Sequence, residues 1–282
     1  MRLRRFKESL FRFLMIASLS LVVTAFVAIL ATIVVKGASA MNLAMLLETP
    51  KGGYYLGKGG GIANAIAGTL YLGLGASLLS LLVGLPAALA LQKEYARPWL
   101  SRFSRLVLDI LWGTPSIVYG AFGFVVMVRF GIRASMLGGI LALSLVMLPI
   151  MVRSMGEVIR AVPQELKESA YALGTTQTEV TLAVVLRQAV PGILTAILLA
   201  FGRGVGDAAA LLFTAGYTDY MPGSLLDPVA SLPLAIFFQI ATPVPEVQAR
   251  AYAAALILLA IVLAINLASR LLGRRFSRHV IQ

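Results

Sequence analysis

The chain has 282 residues, of which 59% are hydrophobic and only 13% charged, with a formal net charge of +12. Ordinary globular chains carry roughly 45–50% apolar and 25% charged residues. A soluble fold could not hide this much apolar surface, and the same composition excludes a disordered chain. The sequence has no cysteine, which excludes a disulfide framework, a thiolate zinc site and a cysteine nucleophile. Its single histidine, His279, leaves little room for a catalytic triad or a histidine metal site.

A bilayer core of about 30 Å takes about 20 apolar helical residues. Charge-free stretches of that size predict six spans. The first, Phe13–Val35, lies between Arg12 and Lys36. Its 23 uncharged residues exceed the signal-peptide core of about 7–15, so a retained anchor is expected. The outer segment Lys36–Gly61 follows, ending in a glycine-rich stretch. The second span is Ile66–Leu91, opened by Asn64, Gly68 and Thr69. The third is Ile110–Val128, where Pro115 removes one helical hydrogen bond and Thr114 or Ser116 can compensate. Either a kink or a polar pore lining follows from that triplet. The fourth is Ala134–Val152.

The inner segment Arg153–Gln188 has helix-forming composition. Pro163 suits a first helical turn, Gln164–Leu173 reads as a short amphipathic helix closed by Gly174, and Gln177–Gln188 reads as a second helix. A hairpin of that size is more than a connection needs and suggests a docking surface. The fifth span, Gly192–Ala215, is apolar except for Arg203 and Asp207. The outer segment Gly216–Arg250 is rich in proline and acids, and Ala251–Ser269 is the sixth span. With both termini inside, 17 Lys and Arg lie on inner segments and 6 on outer ones, the remaining one being Arg203. This is the positive-inside bias, and it explains the basic excess without a nucleic-acid partner.

Two motifs carry chemistry. Gly52-Gly53-Tyr54-Tyr55-Leu56-Gly57-Lys58-Gly59 approaches a phosphate-binding loop, but Gly59 stands where a magnesium-holding Ser or Thr is needed. A flexible outer loop is the expectation, with no ATP bound. Arg203 and Asp207, four residues apart, share a helix face and can pair. Charge within a span marks an ion or substrate path by default, with a structural ion pair as the alternative. The planar guanidinium fork suits tetrahedral oxyanions, and Gly202, Gly204 and Gly206 permit close approach. A span-embedded hydrolase would need a His or Lys base there, and none exists, so the chain is not expected to be an enzyme. Without an internal repeat, an inverted-repeat carrier gains no support.

Glu168-Ser169-Ala170 followed by Gly174 resembles the coupling loop of type I ABC importer permeases. That pattern is Glu-Ala-Ala, three residues, Gly, nine residues, Ile, one residue, Leu-Pro; Val184 and Leu186 fit its later positions, while Ser169 and Arg187 depart from it. Gly61–Thr69, Thr114–Gly120, Gly202–Asp207 and Leu211–Ala215 are similar, in the same order, to the A-type permeases of phosphate importers. That group usually pairs Arg with Glu and follows with Thr, where this chain has Arg203, Asp207 and Ala208. The resemblance implies an all-α membrane protein of six transmembrane helices with the MetI-like permease fold. Residues 1–60 would form an N-terminal tail, first helix and outer loop, and residues 61–282 the permease domain with its coupling hairpin at about 153–188. It further implies a path lined by Arg203, Asp207, Ser116 and Asn64, and ATPase coupling through Glu168, Ala170 and Gly174. The implied partners are a second homologous permease, two ATPase subunits that hold ATP and magnesium, and an extracytoplasmic binding protein delivering phosphate. The implied location is a bacterial or archaeal plasma membrane. A permease for another oxyanion or small solute on the same fold is the alternative.

Overall fold

The computed structural model describes residues 2–51, 59–92, 95 and 97–277. The phosphate-loop-like stretch, Gly59 excepted, and His279 lie outside the described residues. Helix α1 is Arg2–Ala40, α2 Leu43–Leu47, α3 Ala63–Ala90, α4 Pro98–Gly113, α5 Ser116–Arg129 and α6 Met136–Arg160. Then come α7 Gln164–Ala172, α8 Gln177–Glu179, a π-helical turn Val180–Val185, α9 Leu186–Val205, α10 Leu232–Ile240 and α11 Pro245–Ser277. Among the described residues five helices are long and apolar enough to cross a membrane, and α4 with α5 makes a sixth candidate, bent by 100°.

The centre of the bundle is the packing of α3 against α6. The buried row of α3 is small: Ala65, Thr69, Gly73, Ser77 on one line and Ala76, Ser80, Gly84, Ala88 on the next. The second line faces α6, whose Leu143, Met147, Met151 and Met155 are all buried, whereas on the first line Thr69 meets Leu232 and Gly73 meets Phe201 and Val205 of α9. Small residues let two backbones approach closely, which drives association where lipid removes the hydrophobic incentive. The Ser80 hydroxyl donates to the Ser144 carbonyl across this seam at 2.9 Å. Helix α9 closes the core with Ala189, Ile193, Ala196, Ala200 and Gly204. A Cβ at Gly204 would meet Met147 Sδ at 2.6 Å. Helix α1 is apolar and exposed over most of its length, as a lipid-facing helix is, and it rests on α11. Gly37 seats against the Tyr252 backbone, and the Lys36 ammonium lies 4.8 Å from the centre of the Tyr252 ring.

Three sequence expectations need correction. The third span is not one helix: Thr114 (φ −79°, ψ 128°) and Pro115 (φ −57°, ψ 137°) are both extended. A residue before proline is driven out of the helical region, and the proline itself offers no N–H. Helix α5 alone is about 21 Å long, short of the roughly 30 Å core.

The fifth span does not run to Ala215. Helix α9 ends at Val205, and Gly206–Ala215 folds into tight turns held by Asp207 N–H to Gly204 O and Leu211 N–H to Ala208 O. Glycines at 202, 204 and 206 weaken the helix there. Asp207 therefore lies beyond the helix rather than on its face.

The Gly216–Arg250 segment is not merely a hydrophilic loop. It contains α10, and Val229, Ala230, Ser231, Leu232 and Leu234 are fully buried. Its backbone is stitched to the start of α6 by Met136 N–H to Asp227 O and Leu137 N–H to Leu225 O, both 2.8 Å. It is joined to α3 by Leu232 N–H donating to Thr69 Oγ1 at 2.8 Å. A Cβ at Gly68 would collide with the Ala230 carbonyl oxygen, so this glycine is required for that approach.

Candidate anion path and docking hairpin

The broken span and the short α9 have a common consequence. They open a cavity of about 310 Å³ lined by Trp112, Thr114, Ser116, Tyr119, Pro149 and Arg203, among others. The sequence-predicted Arg203 and Ser116 thus share one cavity. Arg203 Nη1 donates to Asp207 Oδ2 at 3.3 Å. The two partners differ sharply: the Asp207 side chain is 3% exposed and that of Arg203 56%. Asp207 is further fixed because its Oδ1 accepts the Ala210 N–H at 3.0 Å.

The chemistry available here is anion binding. The first turn of α5, at Ser116, lines the cavity. A helix N-terminus presents unpaired N–H groups and the positive end of the macrodipole. Thr114 Oγ1 donates to Ile110 O at 2.7 Å and Tyr119 Oη to Leu111 O at 2.6 Å, so both hydroxyls are anchored to the backbone on which the break is built. Their polar atoms keep the wall from being purely apolar. Arg203 supplies a fork able to make two parallel hydrogen bonds to an oxyanion.

Asn64 lies elsewhere. It is buried in α3, where Nδ2 donates to the Thr218 carbonyl at 2.7 Å, and it does not line the Arg203 cavity. It ties α3 to the infolded segment after α9.

The hairpin, residues 161–188, packs against the C-terminal ends of α3 and α6, with Val162, Val180 and Val185 buried in the core. Helix α7 ends where Gly174 takes φ +79°, the left-handed conformation expected of a glycine cap. Gly174 N–H donates to Tyr171 O at 2.9 Å, and Thr175 Oγ1 to Ala170 O at 2.7 Å. The next helix starts with a capping box: Thr176 N–H donates to Glu179 Oε2 at 2.7 Å, and Glu179 N–H donates back to Thr176 Oγ1. The Thr176 N–H, and then its hydroxyl, hold the Glu179 carboxyl below its ordinary range. Glu168 is exposed, Ala170 packs on the core, and Leu173 at the tip is 85% exposed. An apolar side chain this exposed beside an exposed Tyr171 is suited to insertion into a partner.

Sequence reasoning missed several features. Val180–Val185 forms a π-helical turn between hairpin and α9, which hydrophobic periodicity cannot distinguish from an α-helix. Tyr95 pins the loop after α3 to it, donating to Gln177 O at 2.8 Å and hydrogen-bonding Thr181 Oγ1. Arg153, on α6, pairs with Asp109 on α4 and sits 5.3 Å from the centre of the Trp112 ring. Charge counting treated those residues only as topology signals.

A helical bundle with one broken span, an arginine on a half-open cavity between the helices and a two-helix hairpin at one end defines an integral-membrane transport subunit. The chain belongs to the family described as the binding-protein-dependent transport system inner membrane component, whose profile matches residues 80–278. It is 38% identical over 245 residues to the phosphate transport system permease protein PstA of Yersinia pestis, covering 86% of this chain and 82% of that one. It is 38% identical over 211 residues to the probable phosphate transport system permease protein PstA of Methanocaldococcus jannaschii, covering 73% of each. Among solved structures, the inward-facing MetNI methionine ABC transporter matches with a TM-score of 0.61 at 19% identity, covering 76% of this chain and 95% of that chain. An amino acid ABC transporter solved with histidines matches at 0.55 and 22% identity, covering 77% and 92%. These structures share the MetI-like permease fold with this chain.

Proposed function

We infer that this chain is the permease subunit of an ATP-driven phosphate importer, forming half of the anion path and docking an ATPase. The observation that carries the reading is Arg203. It faces a cavity also lined by Ser116 and the start of α5, in a chain whose relatives are named phosphate transport permeases. The proposed complex contains a second homologous permease, two ATPase subunits and an extracytoplasmic phosphate-binding protein, in a bacterial or archaeal plasma membrane. Both termini and the hairpin face the cytoplasm, as the Lys and Arg bias favours. Residues 61–282 act as the permease domain.

In this reading the exposed Leu173 and Tyr171, with Glu168, enter a groove of the ATPase, and Ala170 and Gly174 shape the turn that presents them. ATP-driven closure of the ATPases tilts the two permeases as rigid bodies. The rigid α3–α6 core carries the motion from hairpin to cavity. Arg203 meets the anion transiently. Asp207 competes for the same guanidinium, which keeps binding weak enough for release. Asn64 acts from outside the Arg203 cavity, by holding the infolded segment at the outer end of the path.

The test is reconstitution with both ATPases, the second permease and the binding protein in vesicles, followed by ATP-dependent uptake of radiolabelled phosphate. Uptake that requires this chain and resists excess sulfate is expected. Uptake of sulfate in preference to phosphate overturns the substrate assignment, and phosphate flux without ATP overturns the class.

A further inference from the structure

A second cleft lies one helical turn from the Arg203 cavity, toward the hairpin, between the same two helices. Leu111, Trp112, Pro149 and Ile150 wall the first cavity; Leu108, Asp109, Val152 and Arg153 wall the second. The cleft measures about 300 Å³, roughly ten times the share of liquid volume that one water takes, so a partly hydrated anion fits. The Trp112 ring, with Arg153 over it, is the partition between the two spaces.

Three arginines and two carboxylates line it. Arg153 pairs with Asp109, and Arg160 Nη2 with Glu157 Oε1 at 2.7 Å. Arg105, one turn before Asp109 on α4, has no carboxylate within ion-pair distance among the described residues; its Nε donates to Ser101 Oγ at 3.3 Å. The cleft therefore carries one net positive charge. Arg160 folds back on its own helix, its Nε donating to Gly156 O at 3.1 Å, which brings its Nη2 to 3.7 Å from the point where a Gly156 Cβ would sit, with Gln92 Nε2 4.0 Å from that point. Gln92 is buried and uses one of its two amide protons on Ala88 O at 2.7 Å, which leaves the other. The positive-inside bias accounts for arginine on this side of the bundle. It does not account for the buried Gln92 amide beside those arginines.

We propose that this cleft binds a phosphate oxyanion, held by Arg105 and Arg160 with Gln92 as a neutral donor. The transported anion would pause here after leaving Arg203, passing the Trp112–Arg153 partition. That release role rests on the phosphate-import reading above; the binding itself does not. A free phosphate and the phosphodiester of an anionic lipid offer the same chemistry, since α4 carries exposed Trp99, Phe103 and Leu106 beside Arg105.

The purified complex, without its binding protein, is placed in phosphatidylcholine nanodiscs and dialysed against radiolabelled inorganic phosphate. Arg105→Gln should lose one equivalent of bound phosphate per chain, and Arg105→Lys should weaken that equivalent severalfold while retaining it. Arg105 has no acid partner, so its loss strands no buried charge and assembly should persist. When the complex is extracted in detergent from membranes containing phosphatidylglycerol and stripped of bulk lipid, retention of that lipid by the wild type but not by Arg105→Gln identifies a headgroup as the occupant. Equal phosphate and equal lipid on wild type and Arg105→Gln overturn the site. A complex that holds the Arg105-dependent equivalent but performs no ATP-driven uptake keeps the site and loses the import reading.

Discussion

Arg203 and Asp207 are joined at 3.3 Å across the end of α9, with the acid buried and the base half in the cavity. Asp207 is fixed by the protein twice, through Ala210 and through Arg203, whereas Arg203 retains donors that face open space. Such a pair can exchange one partner without unfolding its surroundings.

Removing Arg203 alone leaves the buried Asp207 carboxylate with the Ala210 N–H as its remaining partner, a loss of about 1–3 kcal/mol given that the arginine is itself half-exposed. Arg203→Gln should therefore impair assembly as well as uptake. The double variant Arg203→Gln, Asp207→Asn removes both charges, and its amide oxygen can still accept from Ala210. Assembly should recover while phosphate uptake stays at background. Arg203→Lys should retain partial uptake, since a point charge lacks the bidentate fork. Recovered uptake in the double variant would show the pair to be structural only.

Gly174 stands in open space, so a side chain there meets no neighbour. The obstacle is its φ of +79°, which costs a residue with a Cβ about 1–2 kcal/mol. Gly174→Val should distort the hairpin tip and abolish co-purification with the ATPase, while insertion and Arg203-dependent anion binding remain. Gly174→Asn should restore most coupling, because asparagine tolerates the left-handed region. Pull-down of the ATPase by the three proteins, ranked Gly, Asn, Val, checks this. Equal capture by all three would mean that the tip does not dock.

The residues that were legible in the sequence are those whose signal is local. Charge-free windows located α1, α3, α6 and α11, and Pro163 and Gly174 bounded the first hairpin helix. What escaped is set by tertiary packing. The stretch from Gly206 to Ala215 is apolar enough to continue a span, and beyond the glycines that weaken the helix it is its contacts with α5 and α6 that turn it back. The stretch of residues 216–232 is drawn into the bundle because its backbone finds partners at Thr69, Ala215 and the first turn of α6. Arg203 and Asp207 were recognisable as a pair from their spacing, yet the pair spans a helix end. The Thr114–Pro115 break was visible as a proline, but its 100° angle depends on what α4 and α5 each pack against.

The infolded segment hangs on few bonds, one of which is Leu232 N–H to Thr69 Oγ1. Thr69 passes its own proton to Ala65 O at 2.7 Å, so its oxygen is oriented as an acceptor. Thr69→Val keeps the shape and strands a buried N–H, a loss of about 1–3 kcal/mol. The melting temperature of the purified complex should fall by a few degrees, and Thr69→Ser should restore it. An unchanged midpoint in Thr69→Val would mean that the segment is held by apolar packing alone.

Pro115 is the residue on which the cavity's shape turns most directly. Alanine there regains an N–H, relieves the steric bar on Thr114 and is the best helix former. If proline sets the break, Pro115→Ala allows α4 and α5 to approach one continuous helix. Thr114 and Ser116 would then swing away from Arg203, and the positive end of α5 would be lost from the cavity. The expected result is uptake reduced at least tenfold with ATPase docking intact. Spin labels at the exposed positions Phe103 and Phe124 give the direct measurement. A bend of 100° opening toward a straight helix lengthens their separation, and double electron–electron resonance reads that change. Should the separation stay as in the wild type while uptake falls, the proline acts on the path locally and the bend is held by packing. Should both stay unchanged, Pro115 has no part in forming the cavity.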